Sequence, residues 1–318
     1  MRRCVEAPIR FLSCLFGMNP GPLRTAALLG GIALGALFPQ AHAASWAIRW
    51  LVMAMLFFVF LQTRLSRRAI HRSHGILLLA NVVIGCGAWA AVRFTGAREI
   101  ALAAFFAGIT PTATAAPVVM SFLRGRVDYV VAAFMVTNLA IAGLFPFLLP
   151  FVLGRATPDV FAQVMGSVGF VVFGPMAIAW LLRWVHPPAA SWPKSLRNAT
   201  FGMWVLALFL ITANASHFIR AHPELPRISL LQIAVVTGLI CAVNFSLGRV
   251  IGRQEFSREA SQALGQKNTT LTIYLALVYA NPLVALGPTC YVIWHNLWNS
   301  WQLHQAGRQE AYEQQIRG

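Results

Sequence analysis

Acidic side chains are scarce. Nine Asp and Glu in 318 residues, nearly all near expected loops, leave few groups for general acid–base catalysis. Five cysteines (Cys4, Cys14, Cys86, Cys241 and Cys290) are scattered, with no CxxC pair and no neighbouring histidine cluster. That excludes a disulfide framework and a cysteine-based metal site, and leaves them as small core residues. There is no nucleophile–base pairing and no phosphate-binding glycine loop. The chain reads as a non-enzyme that needs no cofactor. Charge of either sign is rare at 11%, against roughly 25% in a soluble domain. No long polar insertion separates the apolar segments.

What is present is hydrophobic. Apolar residues make up 58% of the chain. They fall in ten stretches, at about 25–38, 46–62, 76–93, 98–122, 127–153, 160–184, 199–215, 228–248, 258–280 and 282–303. Their lengths bracket the roughly 20 residues that span hydrocarbon as a helix. A backbone in lipid must satisfy its own hydrogen bonds, so each stretch is expected to be helical. The expected class is an all-α integral membrane protein with ten transmembrane helices. A cytoplasmic tail (1–22) precedes one transmembrane domain (23–304), and a second tail (305–318) follows. The opening MRRCVEAPIRFLSCLFGM has some features of a signal peptide. Gly17, Asn19 and Pro20 break its apolar run, so it is taken as a tail or interfacial helix.

The net charge of +16 points to orientation in a membrane and away from nucleic acid. With the N-terminus inside, eighteen of the 25 Lys and Arg fall on the inner side, in groups such as Arg64, Arg67, Arg68 and Arg72. Six fall outside: Arg49, Arg93, Arg98, Arg155, Arg220 and Arg227. The excess predicts an inner-membrane protein with both termini cytoplasmic. The remaining cation, Lys267, lies inside an apolar stretch.

Two stretches make poor continuous helices. The fourth contains GITPTATAAPV (108–118), where Pro111 and Pro117 each lack an amide donor. The ninth contains ALGQKNTT (263–270). Matching interruptions, five spans apart, point to two inverted five-helix repeats whose broken fourth and ninth helices cross at a central site. The freed amides at a broken helix suit an anion. Lys267 is a buried cation and functional by default. It can hold the crossing by bonding backbone carbonyls, and an amine can also release a proton during transport. A lysine snorkelling to one face is the bland alternative.

These breaks resemble the bile acid:sodium symporter superfamily, over about residues 22–303. LLGGIALGALFPQ is similar to the family's first helix. FLRGRVDYVVAAFMVTNLAIAGLFPFLLPFVLG is similar to its fourth-to-fifth connection and fifth helix. Gly265 and Asn268 fit its Glu-x-Gly-x-Gln-Asn pattern. Its Pro-Gly-Gly-Thr-x-Ser-Asn motif corresponds to Pro111–Pro117 here, with Thr114 retained.

The resemblance implies a panel (about 25–62 and 160–215) and a core (about 76–153 and 228–303) working by alternating access. It implies substrate contacts at Thr114 and Asn268, with Asn81 as the counterpart of a third-helix glutamine; the expected substrate site also takes in Thr112, Lys267, Thr269 and Asn138. The family's sodium ligands fall on Ala116, Pro117, Val130, Phe134, Ala263 and Lys267, which lack carboxylate and hydroxyl oxygens. The expected protein is therefore a carrier of a small organic anion that is proton-coupled or uncoupled, with the lipid bilayer as its other partner. The alternative is a non-transporting membrane sensor or solute-binding protein on the same fold. Asn138 and Thr137 either line the cavity or bridge helices, and His295 is either a structural histidine or a proton relay.

Overall fold

The computed structural model describes residues 20–62, 69–113, 115–223 and 228–317. The tail before Pro20, the basic loop with Arg64, Arg67 and Arg68, Thr114 and Arg227 lie outside the described residues. The regular structure of the described residues is helical. In chain order it comprises α1 (Pro20–Leu37), α2 (Ala47–Gln62), α3 (Arg72–Arg93), α4 (Arg98–Ile109), α5 (Ala116–Phe122) and α6 (Val127–Val152). Next come α7 (Pro158–Val185), α8 (Arg197–Ala221), α9 (Ile228–Gly252), α10 (Ser257–Gly265), α11 (Thr269–Tyr279) and α12 (Pro282–Arg317). Short helical turns link α1 to α2 and α7 to α8.

Five of these helices (α3, α6, α7, α9 and the Ala199–Ala221 part of α8) are long and apolar enough to cross a bilayer. Large apolar side chains stand exposed on them, among them Leu79, Val83, Phe147, Leu181 and Leu239. Water would not tolerate so much uncovered apolar surface; lipid does. The chain is a multi-pass membrane protein.

Helix ends follow local chemistry. α6 contains Pro146 and Pro150, and two residues past its end stands Gly154, whose φ of 68° suits a residue without Cβ. There the Arg155 amide donates to Pro150 O at 2.9 Å and the Gly154 amide to Phe151 O at 3.0 Å, which satisfies the last carbonyls. α7 restarts with Thr157 accepting from the Val160 amide and with Pro158 in its first turn, where no donor is needed.

The chain divides into two compact units. Unit 1 holds the described residues within 1–64, 145–226 and 277–285, and unit 2 those within 65–144, 227–276 and 286–318. In unit 1, α1 lies against α8 through small residues. A Cβ on Gly31 would stand 3.1 Å from Val205 Cγ1, and Ser216 Oγ donates to Ala36 O at 2.9 Å. α2 packs on α7 and α8.

In unit 2, α4 is buried on every face from Ile100 to Ile109, as expected of a helix that is apolar all round. It meets α3 at a two-glycine contact, where a Cβ on Gly85 would fall 2.8 Å from Ile109 Cβ and one on Gly108 2.8 Å from Gly85 Cα. α9 packs on α10 and α4. Tyr129 stacks on Phe256, and His74 Nε2 lies 3.0 Å from Tyr129 O, joining α3, α6 and the start of α10.

Candidate functional site: the crossing of two broken helices

The fourth and ninth apolar stretches are interrupted more narrowly than the sequence suggests. α4 runs to Ile109 and α5 begins at Ala116, so Gly108, Pro117 and Val118 are helical. α10 reaches Gly265 and α11 begins at Thr269, leaving three non-helical residues, Gln266, Lys267 and Asn268. Proline explains the first break. Pro111 cannot donate to a helix, whereas Pro117 sits in the first turn of α5, where an amide is dispensable.

Both breaks lie in unit 2 and satisfy each other. Thr112 and Lys267 form an isolated antiparallel bridge. The Ala113 amide donates to Gln266 O and the Asn268 amide to Pro111 O, each at 2.7 Å. An unpaired backbone group buried away from water costs roughly 2–7 kcal/mol, so reciprocal pairing is what permits two breaks side by side.

Side chains complete the account. Thr112 Oγ1 donates to Ala263 O at 2.6 Å, near the end of α10. Its amide donates to Thr137 Oγ1 at 3.1 Å. Asn138 Nδ2 donates to Thr112 O at 2.8 Å and to Phe134 O at 2.8 Å, while its Oδ1 accepts from Asn268 Nδ2 at 3.0 Å. Asn138 and Thr137, the two α6 residues left open between cavity and bridge, are buried bridging groups here.

Lys267 is 2% exposed and does not snorkel. Its Nζ donates to Asn81 Oδ1 on α3 and to Gly108 O at 3.3 Å, one residue from the end of α4. Carbonyls at a helix C-terminus carry partial negative charge, so an ammonium is well placed there. Thr269 Oγ1 and Asn81 Nδ2 are buried and have no hydrogen-bond partner among the described residues. Six of the seven residues expected at the site, Thr112, Lys267, Asn268, Thr269, Asn81 and Asn138, are thus buried in unit 2, all but Thr269 linked through the crossing; the seventh, Thr114, lies outside the described residues.

Other members carry no sequence signal. Thr110 Oγ1 lies 2.8 Å from Thr272 Oγ1, tying α4 to α11. Tyr291 Oη donates to Gly265 O at 2.8 Å and accepts from Asn244 Nδ2 at 3.1 Å. A hydroxyl inside an apolar helix does not announce a partner far along the chain. His295 is buried, with its ring 5.7 Å from Tyr291.

A sodium ion needs several oxygen ligands, and the residues at the expected positions do not fit one. Ala116, Val130 and Ala263 belong to a single buried apolar cluster with Leu77, Met120 and Leu264. Phe134 is buried as well. Among the described residues, no group of three or more His, Cys, Asp or Glu converges to hold a metal. The chain matches no family model, and no curated protein matches it in sequence.

Proposed function

We propose that the protein is a secondary carrier that moves a small organic anion across the inner membrane by alternating access, without sodium. The observation that carries this reading is the pair of helix breaks joined to each other around a buried lysine. Irregular backbone in a membrane survives where it is packed in protein or lines a path for solute, and intramembrane charge is costly unless it works. The order of elements supports two inverted five-helix halves spanning the bilayer ten times. α1, α2, α3, the broken α4–α5 pair and α6 are followed by α7, α8, α9, the broken α10–α11 pair and α12, so the break comes fourth in each set.

In this reading Lys267 does the work of a coupling cation. Its ammonium supplies the positive charge at the end of α4, and the apolar cluster around Ala116, Val130 and Ala263 replaces the oxygen cage an ion would need. Asn268 and Thr269 then face the solute, and Asn81, Asn138 and Thr112 hold the crossing in shape. Uptake of labelled monocarboxylates by proteoliposomes, in sodium and in choline medium, tests the proposal. It predicts uptake above protein-free vesicles that is the same in both media. Saturable solute binding with no flux would favour the sensor alternative.

A further inference from the structure

We propose that unit 1 carries a separate binding site for an anion attached to an apolar body, in a pocket onto which Arg49 and Arg155 both open. The proposal deepens the carrier reading by giving the solute a capture site, and it rests on that reading for this role; binding itself is tested apart from flux.

The pocket has a volume of about 510 Å³, within the range of small-molecule sites. Arg49 comes from the first turn of α2, and Arg155 from the turn between α6 and α7. No Asp or Glu lines the pocket, and neither arginine pairs with a carboxylate among the described residues. Two guanidinium groups therefore share a cavity with no internal counter-charge among the described residues. Each presents a planar fork that matches a carboxylate or phosphate.

Arginines at a membrane boundary often do no more than reach for water. Two details argue otherwise here. Arg49 Nε is buried with no hydrogen-bond acceptor, a costly state for a charged donor and one that an anion in the pocket would relieve. Its guanidinium is also held 4.6 Å above the Phe170 ring, which fixes its plane.

The lining also carries hydroxyl groups. Tyr279 Oη donates to Gln163 O at 2.8 Å and lies 2.7 Å from Ser167 Oγ, so α11 brings a hydroxyl pair to the pocket against α7. Leu153, Val160 and Val278 supply apolar lining. Cationic forks, hydroxyls and an apolar wall suit a carboxylate on a hydrocarbon or aromatic body. A lipid phosphate has the same chemistry, and the test separates the two.

The test is equilibrium binding of radiolabelled benzoate to the purified full chain in phosphatidylcholine nanodiscs. Saturable binding is expected, weakened about tenfold or more by the double variant Arg49→Gln/Arg155→Gln. It should be partly kept by Arg49→Lys/Arg155→Lys, which retains charge but not the forks. Arg220→Gln, in the same unit but outside the pocket, should bind as wild type. Discs of phosphatidylglycerol identify the occupant: unchanged benzoate affinity marks a free solute, and competitive weakening marks a lipid headgroup. No saturable binding, or equal affinity in the wild type and the double Gln variant, overturns the proposal. A protein that binds benzoate through these arginines yet carries nothing keeps the pocket and loses the carrier reading; a carrier indifferent to both arginines loses only the pocket.

Discussion

At Lys267 an ammonium bonds an amide oxygen and a helix-end carbonyl, with no carboxylate partner among the described residues. Truncation to Ala would leave a cavity and two unpaired acceptors, Asn81 Oδ1 and Gly108 O. Lys267→Ala is therefore expected to destabilise the protein by about 2–5 kcal/mol, read as a fall in unfolding temperature of the detergent-purified chain. Lys267→Arg should recover only part of this, because a planar fork needs more room than the 2%-exposed site offers. Lys267→Gln keeps an amide donor on a side chain one bond shorter, so it should lose less stability than Ala but lose most uptake; wild-type uptake from that variant would make the lysine a bystander. Lys267 was legible in the sequence because a lone cation in an apolar run has few innocent explanations. Its partner Asn81 emerged only from a family resemblance, since nothing in α3 itself distinguishes that asparagine from a packing residue. The Thr110–Thr272 and Tyr291–Gly265 contacts were not legible, because a hydroxyl on an apolar helix can be satisfied by its own preceding turn.

Among the elements, α4 and α10 are short, buried helices whose ends depend on each other. Thr112 is the hinge of that dependence, touching Ala263 O, Thr137 Oγ1 and the Asn138 amide at once. Thr112→Val keeps the shape and removes the hydroxyl, which leaves Ala263 O unpaired; a loss of about 1–3 kcal/mol is expected in thermal unfolding. Packing of α4 on α3 is equally intolerant. Gly108→Val would drive a branched side chain into Gly85, whose Cα lies 2.8 Å from a Cβ at that position. That variant should express poorly or unfold well below wild type, and a stable Gly108→Val protein would contradict the described contact. The positions of the breaks could be read from Pro111 and from the polar run around Lys267. Their narrowness could not: Ala263–Gly265 and Thr269–Thr270 stay helical because the crossing satisfies the freed carbonyls within a residue or two.

For the whole molecule, the helical membrane architecture follows from apolar length alone, whereas the division into two units does not. The boundary near residue 145 falls inside α6, where helical periodicity runs on unbroken. The arginine count predicts that the 63–71 connection faces the cytoplasm; cysteine labelling there from the outside should fail, and efficient labelling would reverse the orientation. Arg49 and Arg155 were assigned to one side by the same count, but only the fold brings them to one pocket. The central claim is that a fixed lysine has taken over from a coupling ion in an organic-anion carrier. It is tested most directly by monocarboxylate uptake into proteoliposomes of the wild-type protein, with sodium replaced by choline in matched samples. The account predicts uptake above protein-free vesicles at equal rates in the two media; uptake that collapses without sodium would contradict it.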